Sequence, residues 1–407
     1  MSAGQPLRVG LLAHQLDGRL TGVGRYMVSL TAELCSRDNG IEVLPLVVGP
    51  LGALDDDPHV RRRIPTDPQV RHALALTYRA SRVVGHRASF VTIGNALSSI
   101  AARRLRLDVI HDLTGIAPFF LSTGSCRRLI TVHDLISYLP GGGNDLVDDA
   151  LQRLWLPATA RAAHGIVTVS ATTGADVQRY LHVTSARVHI ARHGVDARFR
   201  PLSKDDLEKA LRRYGLSPGY IFFIGSGSPR KNLDKLVGAC RLMWSRGGRT
   251  RLVVAGPARS AAITLAGDDI AAGRVVCTGY VPEQDLPALY NGAAVVAFPS
   301  SYEGFGLPAL EAMSCGTPVL AGLAGALPEV VGDAGVLVDP ADVAGMAREL
   351  ADLLDDGNRR SRLRELGLQR ARSFTWSRTA DETSDVYRRL MQVRAGERVQ
   401  EMRSATP

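Results

Sequence analysis

The chain has 407 residues, 45% hydrophobic and 22% charged, a globular balance long enough for two domains. No run of about 18 apolar residues occurs, so no helical membrane span is expected, and an aromatic share of 5% without any known binding pattern argues against nucleic acid as a partner. The net charge of +9 is local: residues 58–107 hold ten arginines against one acid, Asp67, while 39 basic and 39 acidic residues cancel elsewhere.

In chain order, "LRVGLLAH" at 7–14 predicts a buried strand rather than a signal peptide, since no charged lead or cleavage site accompanies it. "GRYMVSLTAELCSR" carries Tyr26, Leu30 and Leu34 at helical spacing. "IEVLPLVV" at 41–48 is a second strand, and the alanine- and arginine-rich stretch 69–106 reads as mostly helical. Strands follow in "LDVIHDL" (107–113), "RLITVHDL" (128–135) and "HGIVTVS" (164–170), with "ARVHIARHGVD" closing this half. The strands are apolar throughout rather than alternating, the pattern of a parallel sheet covered on both faces.

The second half repeats the scheme. "YIFFIGSG" (220–227), "TRLVVAGP", "GRVVCTGYV", "AAVVAFPS", "TPVLAG" and "GVLVDP" read as strands. "NLDKLVGACRLMWSR", "PEQDLPALYNG" and "LPALEAMSCG" read as helices, and two helical segments finish the chain. The fold class is therefore α/β, two Rossmann-like doubly wound parallel-sheet domains facing a cleft. Domains are expected at 1–198 and 199–385, joined near the proline and charge run of 192–206, with a tail at 386–407 packing back toward the first domain. Five cysteines, odd in number and never spaced C-x-x-C, read as small core residues of a reducing compartment, so a cytoplasmic location is expected.

"SSYEGFGLPALEAMSCGTPVL" at 300–320 places Glu303 and Glu311 eight residues apart. Glu303 falls in a loop after a strand and Glu311 about one turn into a helix. Pro308 suits that helix's first turn and Gly316 its end. Gly304 and Gly306 allow backbone N–H groups to face a ligand, and the helix start favours an anion. Two carboxylates beside an anion site need separate work. Each can accept two hydroxyl hydrogens. A ligand with phosphate in the middle and a polyol at both ends, a nucleoside diphosphate sugar, fits: Glu311 at the ribose and Glu303 at the sugar. "GSGSPRKN" follows a strand and opens a helix, where Arg230 and Lys231 would neutralise a departing diphosphate.

"YEGFGLPALEAMSCGTPVL" resembles the E-x7-E signature of the family-four retaining glycosyltransferases, which have the GT-B fold. "GYVPEQDLPALYNGAAVVAFPS", "LPEVVGDAGVLVDP", "GSGSPRKNLDKLV", "TVHDL", "TGVGRY" and "RHGVD" follow in family order over nearly the whole chain. The resemblance implies catalytic roles for His133, Arg230, Lys231 and Glu303. His133 would face the transferred sugar; Ser226 stands where many relatives carry an arginine, and Arg230 substitutes for it. It implies donor contacts from Gly22, Gly24, Ser226, Gly279, Tyr280, Val281, Gly304, Phe305, Gly306, Leu307 and Glu311. Gly22 and Gly24 are equally readable as a tight turn before a helix, and Tyr280 as core.

The expected activity is retaining, metal-independent transfer of a hexose, mannose favoured, from a sugar nucleotide such as GDP-mannose to a hydroxyl of a glycan or lipid-linked glycan in bacterial surface polysaccharide assembly. The alternatives are an epimerase or hydrolase of the same fold, or transfer to a small-molecule acceptor. No cofactor or metal is expected; Asp55, Asp56 and Asp57 read as a surface acidic turn. The arginine block of 58–107 reads either as a solvated helical face or as a patch that meets an anionic membrane surface or a phosphate-bearing acceptor.

Overall fold

The computed structural model describes residues 5–14, 21–84, 89, 93–115, 121–140, 142 and 146–404. The chain forms two compact units, 1–193 together with 376–407, and 194–375.

Among the described residues the first unit holds a parallel sheet of β1 (Leu7–His14), β2 (Ile41–Val48), β3 (Val109–Asp112), β4 (Arg127–Val132), β5 (Gly165–Thr168) and β6 (Val188–Ile190), in the order β2-β1-β3-β4-β5-β6. Consecutive residues split between two apolar cores: Leu11, Leu129 and Val167 face one, Leu12, Ile130 and Ile166 the other. This is the side-chain alternation of strands buried on both faces. The helix Gly22–Ser36 buries Tyr26, Met27, Leu30 and Leu34 in the first of these cores. The arginine-rich stretch contains the helices Pro68–Val84 and Asn95–Arg104.

The second unit holds β7 (Tyr220–Ile224), β8 (Leu252–Ala255), β9 (Val275–Gly279), β10 (Ala293–Phe298), β11 (Val319–Gly322) and β12 (Val336–Val338), again all parallel, in the order β12-β11-β10-β7-β8-β9. The chain winds outward from β7 in one direction and from β10 in the other. The switch point therefore lies between β7 and β10, the place where open α/β sheets gather ligands at their strand ends.

The α/β class with two doubly wound sheets stands. The domain limits differ from 198/199 and 385/386: the chain crosses at 193/194 and again at 375/376. The link joins the second unit early, because Val195 N–H donates to Phe374 O at 3.0 Å and Leu202 N–H to Asn291 Oδ1 at 3.0 Å. The closing helix Trp376–Ser404 starts ten residues before 386 and puts Ala380, Val386, Tyr387 and Leu390 into the core of the first unit. Three helices, not two, finish the chain: Val343–Asp355, Gly357–Ala371 and Trp376–Ser404. Asp356 ends the first of them and caps the second, accepting from Arg359 N–H at 2.9 Å. A helix at Arg259–Ala271 also lay beyond the sequence reading.

Candidate active site

The loops after β7 and β10 meet at the switch point of the second unit. Pro229–Lys231 forms a single 3-10 turn, and Asn232 then takes a left-handed conformation (φ 52°) before the helix Leu233–Ser245. Three bonds fasten this turn to the loop after β10. Ser301 N–H donates to Arg230 O at 2.8 Å, Asn232 Nδ2 to Pro299 O at 2.8 Å, and Arg230 Nη1 to Tyr302 O at 2.9 Å. One of the three is backbone to backbone and two are side-chain bonds to the loop's carbonyls, so the turn is held on both counts.

That fastening brings Arg230, Lys231 and Glu303 together. Glu303 Oε1 accepts from Lys231 Nζ at 2.5 Å and from Arg230 Nη1 at 3.0 Å. Lys231 is 8% exposed, and its ammonium lies 4.5 Å from the centre of the Phe298 ring. Burial alone would raise the Glu303 carboxyl; the two cations outweigh it and hold the group below the ordinary carboxylate range. One carboxylate against two cations leaves the cluster with one net positive charge at the strand ends.

The helix Leu307–Ser314 opens beside it. Gly306 takes φ 109°, and a Cβ there would fall 2.6 Å from Leu327 Cδ2. Gly304 and Gly306 are buried, Leu307 is half-buried, and Phe305 turns inward to meet Phe374 edge-on at 5.9 Å. Glu311, on the same helix, is buried and accepts from the Tyr290 hydroxyl at 2.7 Å. One of its oxygens is thus spoken for, and the carboxylate is held in one orientation.

Ser226 is half-buried in the β7 loop. Gly279 ends β9 with φ 69°, followed by Tyr280, 45% exposed, and Val281, 4% exposed. Tyr280 is therefore not a core residue, while the Val281 side chain is, which leaves its backbone as the part that can meet a ligand.

In the first unit, Gly22 and Gly24 do not form a free glycine loop. Both belong to the first turn of the helix Gly22–Ser36, and Gly24 N–H is taken by the Thr21 hydroxyl at 3.2 Å. His133 stands just past β4 at its carboxyl end. Its Nε2 lies 2.8 Å from Leu113 O, and since a carbonyl only accepts, Nε2 carries the proton. Among the described residues its buried Nδ1 has no hydrogen-bond partner. Burial pushes the imidazole down to about 4, so the ring is neutral at pH 7.

Several supporting residues escaped the sequence reading. Gly325, φ 57°, lies against the Glu303 backbone, where a Cβ would fall 2.6 Å from Glu303 N and 2.7 Å from Glu303 O. Ala326 N–H donates to Glu303 O at 2.9 Å. Tyr290 and Asn232 position Glu311 and the cation turn. None is separable by sequence from ordinary core or turn positions, although the glycine in "AGLAGALPE" marks a sharp bend. Among the described residues no group of three or more His, Cys, Asp or Glu side chains could hold a metal ion. Asp57 of the acidic turn caps the helix Pro58–Arg63, and Asp55 pairs with Arg61 at 3.1 Å.

A family model described as "Glycosyltransferase Family 4" matches residues 20–199, and one described as "Glycosyl transferases group 1" matches 208–370. O-antigen chain mannosyltransferase B of Escherichia coli is 29% identical over 381 residues, covering 91% of this chain and 97% of that protein. The MMP alpha-(1->4)-mannosyltransferase of Mycolicibacterium hassiacum is 29% identical over 76% of this chain and 80% of its own length. Among solved structures, sucrose-phosphate synthase from Thermosynechococcus elongatus superposes with a TM-score of 0.71 at 21% identity, covering 95% of this chain and 100% of that one.

Proposed function

Because this chain belongs to the glycosyltransferases of the family 4 and group 1 type, we propose that it moves a hexose, mannose in the first place, from a nucleoside diphosphate sugar such as GDP-mannose to a hydroxyl of a glycan or lipid-linked glycan, with retention at the transferred carbon. The observation that carries the reading is the buried Lys231–Glu303–Arg230 cluster at the switch point of the second sheet. Mannose is favoured by the relatives, two of which are named mannosyltransferases.

In this reading the acceptor hydroxyl attacks on the face that the diphosphate leaves, and a leaving phosphate oxygen takes its proton. Lys231, Arg230 and the N–H groups of Gly306 and Leu307 meet the charge that develops on the diphosphate. They are preorganised, and Lys231 is desolvated, so they can act without a metal ion. Glu303 orders the cations and faces the sugar hydroxyls, and Glu311, steered by Tyr290, takes the ribose. Gly279, Tyr280 and Val281 receive the base through their backbone.

The arginine block is proposed as a contact with an anionic membrane surface. On the helix Pro68–Val84 the exposed residues include Arg71, Arg79 and Arg82 with Leu76, 45% exposed, and Val83, 83% exposed, and the helix holds no acid. Among the described residues no helix is long and apolar enough to cross a membrane. Salt-sensitive binding to anionic liposomes is the expected result.

The test of the reading is incubation with GDP-mannose, with and without a mannoside acceptor, and proton NMR of the new anomeric centre. An α-linked product formed only with acceptor supports it. Sugar release or epimerisation without acceptor would replace it with the hydrolase or epimerase alternative, and a β-linked product would remove retention.

A further inference from the structure

Arg259 opens the helix Arg259–Ala271 just past the carboxyl end of β8, the strand between β7 and β9. That helix start is fixed on both sides. Ala258 N–H donates to Gly225 O at 3.0 Å, and Gly227 lies so close that a Cβ on it would fall 2.8 Å from Ala261 Cβ. On the other side Ala255 pairs with Gly279, the residues at which β8 and β9 end. Gly279 takes φ 69°, and a Cβ there would fall 3.6 Å from Arg259 Nη1 and 3.7 Å from Arg259 Cδ. The guanidinium therefore lies along the backbone of Gly279. Burial raises the Cys277 thiol, two residues earlier on β9, and the Arg259 charge pulls against that rise.

Nothing in the fold employs this charge. Arg259 is exposed, and among the described residues its side chain makes no ion pair or hydrogen bond. A cation in the first turn opposes the helix dipole, and no acid stands in that turn to offset it. Neighbouring strands lie about 4.8 Å apart, so the end of β9 stands two spacings, ~10 Å, from β7 and its Lys231 turn. Arg259 is thus placed on the side of the site away from the cation cluster.

We propose that Arg259 selects the base of the donor: guanine, lying against Gly279, Tyr280 and Val281, presents O6 and N7 to the guanidinium, which donates to both. The proposal rests on the sugar-nucleotide reading of this site. A guanidinium only donates, and does so in a planar fork. Guanine offers two adjacent acceptors on that edge; adenine sets an amino donor beside N7, and uracil has the one acceptor O4. The fork therefore fits guanine and leaves the other two bases short of a bond.

The test is calorimetric titration of GDP, 7-deaza-GDP and UDP into the full chain, Arg259→Ala and Arg259→Lys. The wild type is expected to bind GDP about tenfold tighter than either other nucleotide, the scale of one bidentate base contact. Arg259→Ala should lose that factor for GDP, treat GDP and 7-deaza-GDP alike, and bind UDP within about twofold of the wild type. Arg259→Lys, which keeps the charge without the fork, should not restore the preference for GDP. Equal losses for GDP and UDP in Arg259→Ala would make Arg259 a phosphate contact and overturn the proposal. A penalty for 7-deaza-GDP that survives Arg259→Ala would overturn it as well. Tighter binding of UDP than of GDP by the wild type would overturn the choice of base while leaving a sugar-nucleotide site, whereas no binding of any of the three would remove the proposed function itself.

Discussion

At the scale of single residues, the account rests on a lysine kept out of water by a carboxylate. Lys231→Met removes one of the two cations on Glu303 and leaves Arg230, so it should lower unfolding free energy by about 1.5–3 kcal/mol, the scale of a hydrogen bond to a charged group, at pH 7 in urea titrations. The double variant Lys231→Met/Glu303→Gln should recover most of that loss. Lys231→Ala, which remains folded, should lose turnover about 100-fold or more, the scale of losing a preorganised charge contact; unchanged transfer would remove the assignment. The pH dependence has a definite sign. Glu303 titrates lower in the fold than when unfolded, so its contribution is present above the ordinary carboxylate value and is lost as pH falls through the lower folded value. His133 is held down to about 4, so the unfolded chain binds its proton first, and stability drops as pH falls from about 6.5 toward 4. His133→Asn should make that part of the stability curve less steep, the buried His111 and His193 supplying the slope that remains. What the sequence made legible here was residue type and spacing: two carboxylates, a lysine and an arginine beside strand ends. It did not disclose that Glu303 binds both cations, because partners 72 and 73 positions apart in sequence are brought together only by the sheet order.

At the scale of elements, glycines decide whether the loops can approach. Gly325→Ala would press a methyl group against the Glu303 backbone on both sides, at a position with φ 57°. The strained conformation alone costs about 1–3 kcal/mol, and the displaced loop should also weaken nucleotide binding, measurable by calorimetry with GDP. Tyr290→Phe removes the hydrogen bond to Glu311, a bond to a charged group worth about 1.5–3 kcal/mol. Strands were the legible elements, since unbroken runs such as "YIFFI" and "AAVVAF" are apolar on both faces. The helix Arg259–Ala271 was not, because its mix of alanine, glycine and aspartate carries little helical periodicity. The glycines of "TGVGRY" read as a loop because Thr21, which caps the helix ahead of them, is visible as a cap only once the helix start is known.

At the scale of the whole molecule, the closing helix ties the chain's end to its beginning: a chain that leaves the first unit at His193 re-enters it at Trp376, ten residues before the expected 386. A chain ending at residue 375 should keep the second unit folded and lose the first, because Tyr387 and its neighbours fill that unit's core. Limited proteolysis should then leave a fragment near 194–375 and digest the remainder. The duplication of doubly wound halves was legible from strand spacing, and so was the return of the chain's end to the first unit; its start at Trp376 rather than 386 was not, since nothing local in "WSRTADETSDVYRRLMQ" marks where the crossing falls. Everything functional depends on the second unit taking a sugar nucleotide through its pyrophosphate at the Lys231 cluster. The most direct measurement is calorimetric titration of GDP and of guanosine into the chain and into Lys231→Ala. The account predicts saturable GDP binding that weakens at least 30-fold in the variant, with guanosine binding poorly to both. Equal GDP affinity for the two chains would contradict it.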